Sequence, residues 1–245
     1  MRTFGLIGYP LGHSFSKKYF SDKFEQDGLA DCRFELFPLK HINQFPALLQ
    51  RETSLKGLAV TIPHKQSVMP YLTSIDEAAR QIGAVNCIKI INNTCTGYNT
   101  DVIGFERSFT PLLEYNHTKA LVLGTGGASK AVQFVLKKLG MPFLLVSRNP
   151  LDGSGCIGYK EINKDLLNEY TVIINCSPAG MIPHEDTEPD LPYFFISKKH
   201  LLYDLVYKPA QTRFLEHGFR QGAIIKNGYE MLIIQAEENW TFWNS

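Results

Sequence analysis

The sequence predicts an α/β protein made of two consecutive α/β regions. Three observations carry that expectation. An apolar run, Lys119–Leu123, enters a glycine-rich turn, Gly124-Thr125-Gly126-Gly127-Ala128-Ser129, and a helical pattern follows at once. Further apolar runs at Phe143–Val146, Thr171–Asn175, Leu201–Leu205 and Ala223–Ile225 have the near-continuous character of strands buried on both faces of a parallel sheet. Ahead of the glycine turn, strand-like and helix-like runs alternate.

In the first region, Thr3–Gly8, Arg33–Pro38, Gly57–Thr61, Val85–Ile90 and Thr96–Asn99 read as strands, with helices near Lys17–Gln26 and His41–Arg51. Ile91-Asn92-Asn93-Thr94 reads as a hairpin turn between the last two strands, which makes the sheet mixed. Asp101–Leu113 is expected to leave the region as a helix, with Asp101 placed to cap its start. In the second region the helix after the glycine turn carries Ala131, Val132, Phe134, Val135, Leu136 and Leu139 on one stripe and stops at Gly140. A last helix is expected from Tyr229 to about Phe242. Two such regions joined by helices would leave a cleft, the usual place for a small-molecule site.

Strand, glycine turn and helix together open a dinucleotide-binding βαβ unit, because the glycines admit a diphosphate close to backbone N–H groups at a helix N-terminus. Gly124 and Gly126 occupy the first two positions of the G-x-G-x-x-G fingerprint, and Ser129 replaces the third glycine. The alternative is a tight strand-to-helix corner without a ligand. After the next strand comes Ser147-Arg148-Asn149, where an NAD site usually carries an acid for the ribose hydroxyl. Arginine there suits a 2′-phosphate, so NADP is expected over NAD, although Asp152 lies close behind.

Composition narrows the classes. A chain of 245 residues with net charge +1 and no basic or acidic block is a poor partner for nucleic acid or an anionic membrane. No apolar run reaches membrane-spanning length, and the N-terminus lacks the pattern of a signal peptide. Five cysteines, none in a C-x-x-C pair, and seven scattered histidines argue for a cytoplasmic protein with reduced thiols and no metal site.

Three strand ends carry candidate chemistry. Val60-Thr61-Ile62-Pro63-His64-Lys65 puts a lysine at the carboxyl end of a buried strand, and Gly97-Tyr98-Asn99-Thr100-Asp101 puts a carboxylate at another. An ammonium and a carboxylate converging on one hydroxyl form a proton-transfer pair of the kind that alcohol oxidation by hydride transfer needs. Each residue has a plain alternative: a solvated lysine and a helix-starting aspartate. The loop Gly8–Ser16 brings Ser14 and Ser16 to a helix start, where they serve either a small carboxylate or the helix cap. Asn86 and the run Asn175–Met181 lie at further strand ends.

These segments, nearly end to end and in order, resemble the shikimate dehydrogenase family: the Gly8–Ser16 loop, Val60–Lys65, Gly83–Asn86, Asn99-Thr100-Asp101, Gly124–Ser129, Asn175–Met181, Asp204–Pro209 and Gly228–Ala236. The resemblance implies an N-terminal substrate domain over residues 1–101, completed by the C-terminal helix 229–245, and a Rossmann NADP domain over 102–228. It implies reversible NADPH-dependent reduction of 3-dehydroshikimate to shikimate. The chain is expected to act as a monomer or homodimer. By position it makes Lys65 the catalytic base and Asp101 its partner. Ser14, Ser16, Thr61, Asn86, Asp101, Tyr207 and Gln235 would hold the substrate. Gly124, Thr125, Gly126, Gly127, Ala128, Ser129, Ser147, Arg148, Asn149, Leu205 and Gly228 would line the NADP site. The chain departs from the family after Arg148, where Pro150–Gly155 has no helical pattern and a second basic residue is missing, and at Val102, where glycine is common. Two other readings stay open: a quinate/shikimate dehydrogenase using NAD, and a non-catalytic relative that senses the ligand.

Overall fold

The computed structural model describes residues 1–12, 14–150 and 155–245. His13 of the N-terminal loop and Asp152 behind Arg148, with the rest of 151–154, lie outside the described residues. The chain divides into two compact units, residues 1–100 with 236–245, and residues 101–235.

The first unit contains β1 (Arg2–Gly8), α1 (Phe15–Gln26), β2 (Cys32–Pro38), α2 (Phe45–Arg51), β3 (Leu55–Val60), α3 (His64–Ser67), β4 (Ser74–Ile75), α4 (Glu77–Ile82), β5 (Cys87–Ile91) and β6 (Thr94–Tyr98). Its sheet runs β2-β1-β3-β5-β6-β4 and is mixed. β1 pairs parallel with β2 and β3, whereas β5 runs antiparallel to both β3 and β6. The hairpin turn lies at Asn92 and Asn93, with φ of 47° and 65°. Both central residues in the left-handed region give the turn whose twist matches the flanking strands, and asparagine tolerates it best after glycine. The helix expected over His41–Arg51 is broken. Ile42–Gln44 forms a tight turn, and α2 starts afresh with Pro46 in its first turn, where a missing N–H costs no helical bond.

The second unit contains α5 (Asp101–Phe109), β7 (Ala120–Leu123), α6 (Gly127–Lys138), β8 (Phe143–Ser147), β9 (Cys156–Gly158), α7 (Lys164–Glu169), β10 (Val172–Asn175), β11 (Leu201–Asp204), α8 (Arg213–Arg220), β12 (Ile224–Lys226) and the start of α9 (Tyr229–Asn244), whose last residues belong to the first unit. Its sheet is wholly parallel, in the order β12-β11-β10-β7-β8-β9. Chain direction across the sheet reverses between β7 and β10, the doubly wound arrangement that places ligands outside the strands' carboxyl ends. β7, β10 and β11 are buried along their whole length, which explains their unbroken apolar runs. No helix lies between β8 and β9 among the described residues. α5 ends at Phe109 rather than Leu113, because Pro111 cannot continue the helix and Thr110–Leu112 tightens instead. α6 ends as its sequence indicates. Gly140 has φ of +64°, and the N–H groups of Gly140 and Met141 return to the carbonyls of Lys137 and Leu136 at 3.0 and 2.9 Å.

Aromatic packing dominates the core of the first unit. Trp240 and Trp243 of α9 pack with Phe4, Phe20, Phe24 and Phe34, with ring centroids between 5.1 and 6.3 Å apart. Gly57 on β3 makes room for them, because a Cβ there would stand 2.2 Å from Cδ1 of Trp243. Overpacking of this kind costs about 1–3 kcal/mol. Gly57→Ala is therefore expected to lower stability to unfolding in urea by about that amount. Combining it with Trp243→Phe should cost less than the sum of the two single changes, as contacting residues do.

Candidate functional site

In the first unit, the carboxyl ends of β1, β2, β3 and β6 and the start of β5 share one edge of the sheet. Backbone bonds extend the ladder past the strand ends. Thr61 N–H reaches Ile7 O at 2.9 Å, Tyr9 N–H reaches Ile62 O at 3.0 Å, and Val60 N–H reaches Asn86 O at 2.8 Å. Gly8 permits the closest approach, since a Cβ there would lie 2.4 Å from Cγ2 of Thr61. The chain then turns into α3. His64 is buried, with Nε2 2.6 Å from Leu39 O, and anchors this helix. Lys65 follows, half-buried, its carbonyl accepting from Val85 N–H at 2.7 Å. Thr61, Lys65 and Asn86 are thereby gathered at this edge.

Asn86 is buried and oriented from behind. Its Oδ1 accepts from Thr100 N–H at 2.7 Å, and its Nδ2 donates to Thr100 Oγ1 at 3.0 Å. Thr100 Oγ1 in turn donates to Oδ1 of Asn239 on α9 at 2.7 Å. Asn239 is a site neighbour that sequence reasoning passed over, since an amide amid glutamates on a helix reads as surface. Ser14 caps α1, its Oγ accepting from Lys17 N–H at 3.4 Å, and Ser16 sits half-buried in the first turn. A hydroxyl that accepts from the backbone still has its own proton to give, so the cap and carboxylate readings of Ser14 are compatible.

In the second unit, Asp101 is the first residue of α5, inside the helix rather than ahead of it as a cap, and is buried. An acid in a first turn is favoured by the helix dipole. α5 lies close against the beginning of α9. A Cβ on Gly104 would stand 2.6 Å from Met231 O and 3.2 Å from Cβ of Gln235, itself buried. Asp101 and Gln235 thus occupy adjacent helices of this unit. Val102, beside Asp101, is buried. Nothing in the structure explains why valine stands there.

The glycine turn leaves β7 where the sheet order reverses. Gly124 has φ of +106°, and an added Cβ would lie 3.3 Å from the backbone of Cys176 and Ser177 at the end of β10. Only glycine takes that conformation without strain. A Cβ at Gly126 or Gly127 would meet no atom within 4 Å, and no side chain caps α6. The backbone N–H groups of a helix start, faced by open space, suit a diphosphate. Ser129, in the place of the third glycine, is buried and donates through Oγ to Gly126 O at 2.7 Å, so it holds the turn. Thr125 is exposed and Ala128 half-buried. Past β8, Ser147 Oγ accepts from Asn149 N–H at 3.3 Å, and Arg148 is exposed. Leu205 and Gly228 touch: a Cβ on Gly228 would lie 2.2 Å from Leu205 O. Tyr207 is half-buried, which pushes its phenol up. The residues present fit a dinucleotide.

Sequence reasoning also passed over a buried acid. Asp204 closes β11 and is fully buried. Its Oδ1 accepts from Asn175 Nδ2 at 2.9 Å and Val206 N–H at 3.0 Å, and its Oδ2 accepts from Thr212 Oγ1 at 2.6 Å. Burial pushes its carboxyl up to about 6, against the opposing effect of these three donors. The signal available in sequence was an acid continuing an apolar strand, Leu201-Leu202-Tyr203-Asp204.

Residues 6–88 match the family described as the shikimate dehydrogenase substrate binding domain. Over 260 residues the chain is 34% identical to shikimate dehydrogenase (NADP(+)) of Caldanaerobacter subterraneus subsp. tengcongensis, a match covering 99% of this chain and 91% of that protein. It superposes with a TM-score of 0.88 on a chorismate mutase/shikimate 5-dehydrogenase fusion protein from Clostridium acetobutylicum, at 35% identity, covering 99% of this chain and 90% of the other. A shikimate 5-dehydrogenase of Thermus thermophilus, in complex with NADP(H) and shikimate, gives a TM-score of 0.86 at 27% identity, covering 99% and 93% of the two chains. On fold and on sequence across nearly its whole length, the chain belongs to the shikimate dehydrogenase family.

Proposed function

We propose that this protein catalyses the reversible NADPH-dependent reduction of 3-dehydroshikimate to shikimate, a step toward aromatic amino acids. The observation that carries the reading is the pairing of two built edges in one chain. One is a polar edge holding Thr61, Lys65 and Asn86, and the other a parallel sheet whose glycine turn opens on the first turn of α6. None of the five cysteines is in a disulfide, as in a reducing compartment, which supports a cytoplasmic setting.

NADPH, when bound, supplies the hydride for the substrate's ketone carbon. As charge develops on the ketone oxygen, the Lys65 ammonium gives it a proton. In the oxidative direction the neutral amine takes that proton back from the hydroxyl. Asp101 orients Lys65 and the reacting hydroxyl. Ser14, Ser16, Thr61, Asn86, Tyr207 and Gln235 are neutral hydrogen-bond partners for a polyhydroxy acid. A set of buried polar groups discriminates strongly, because a substrate lacking one hydroxyl leaves its partner unpaired. The Thr100–Asn239 relay fixes which way the Asn86 amide points. Arg148 would hold the ribose 2′-phosphate. A charged hydrogen bond there contributes about 1.5–3 kcal/mol.

Two measurements test the reading, both following NADPH absorbance in the direction of shikimate oxidation. Lys65→Ala is expected to lower kcat by about 10²–10⁴-fold, the usual worth of a positioned acid–base group; unchanged turnover would remove Lys65 from the mechanism. Rates with shikimate or quinate, each with NADP+ or NAD+, should be highest for shikimate with NADP+. Arg148→Ala should reduce kcat/KM for NADP+ by about ten- to a hundredfold and leave that for NAD+ nearly unchanged. Equal losses with both cofactors would show that Arg148 does not read the 2′-phosphate.

A further inference from the structure

The parallel sheet ends in a polar cluster that the chemistry above does not use. Asp204, Asn175 and Thr212 are each nearly or fully inaccessible and come from β11, β10 and the start of α8. Asn175 is committed on both sides of its amide. Its Nδ2 donates to Asp204, and its Oδ1 accepts from Ser177 N–H and Oγ at 3.0 and 2.6 Å. Thr212 caps α8, accepting from Leu215 N–H at 3.4 Å, while its own proton goes to Asp204. Asp204 also takes Val206 N–H, and the Val206 carbonyl takes Gly228 N–H at 3.2 Å. One carboxylate therefore ties together the loop beside the glycine turn, the Leu205–Tyr207 turn, Gly228 and α8.

We propose that Asp204 is a positioning residue for the nucleotide site: through Asn175 and Val206 its buried carboxylate sets the strand ends against which NADP lies. This rests on the reading of that edge as the NADP site. The group ionises near 6 when folded, against 3.8 for an ordinary aspartate, so its ionisation opposes folding. The ionisable groups that feel its charge are the Cys176 thiol at the end of β10 and the Tyr193 phenol, both pushed up by burial and neutral at pH 7. The donors facing it from β10, α8 and its own turn are an amide, a hydroxyl and a backbone N–H. Its two oxygens accept from three separate segments, β10, the start of α8 and its own turn, contacts that no apolar residue supplies.

The test combines calorimetric binding of NADP+ with melting curves. Folded Asp204→Ala is expected to bind NADP+ at least tenfold more weakly. Asp204→Asn keeps the acceptor toward Val206 and Asn175 and should restore binding to within about threefold. Thr212→Val loosens only the α8 clasp and should weaken NADP+ binding about threefold or more, which keeps the question answerable if Asp204→Ala fails to fold. The sign of the pH effect is set by the raised folded value. The folded state holds more protons between pH 4 and 6, so stability from this group falls as pH rises through that window. The melting temperature of Asp204→Asn relative to wild type should therefore climb between pH 4 and 6 and level off above. Wild-type NADP+ affinity in both folded Asp204→Ala and Thr212→Val overturns the proposal. A wild-type protein that binds no NADP+ overturns the functional reading instead.

Discussion

The left-handed turn at Gly124 is the constraint on which the second unit depends. At φ of +106° the chain leaves β7 so close to β10 that a single added methyl would press on the Cys176 backbone. That approach occurs where the sheet order reverses, and there alone two neighbouring parallel strands send their connections to opposite sides. The turn then delivers the first N–H groups of α6 to open space. A larger residue at Gly124 would strain the turn and push the two strand ends apart.

The first unit reaches a comparable result by other means. Its sheet is mixed, so its polar edge is assembled from the carboxyl ends of four strands and the beginning of β5. Here close approach occurs at Gly8 against Thr61, and the buried imidazole of His64 holds α3 in place for Lys65. Asn86, Thr100 and Asn239 form a chain of hydrogen bonds with no charged member. Neutral networks of this type cost little to bury when every member is paired, and they fix amide orientation. The second unit does the equivalent with a charge, Asp204, and burial shifts that group's ionisation toward neutrality.

Much of this was legible in sequence because it rests on local rules. The glycine turn, the Gly140 helix stop and the Asn92-Asn93 hairpin each announce a backbone conformation that few residues adopt. Apolar runs marked nearly every long strand, since a strand buried on both faces has no polar side to confuse the pattern. Less was legible where neighbours far along the chain decide. The two-residue β4 and three-residue β9 are strands by virtue of pairing with β6 and β8, and nothing in Ser74-Ile75 or Cys156–Gly158 requires it. At Pro46 and Pro111 the prolines decide where α2 starts and α5 ends, against an apolar spacing that runs on past both.

By itself the sequence determined the fold class, the place of the glycine turn and, through resemblance, the set of residues to look for. Only the tertiary structure decided what holds them. Strand order is set by which faces must be covered, a property of the whole sheet. Thr100 lies 14 residues from Asn86, and Asn239 lies a further 139 along the chain. Asn175 and Thr212 lie 29 and 8 residues from Asp204. Trp243, which presses on Gly57, comes from the far end of the chain. A buried polar group is stable only if a partner reaches it, and a glycine is needed only where another chain segment presses on it. Both conditions exist between segments, not within them, and so appear only once the chain has folded.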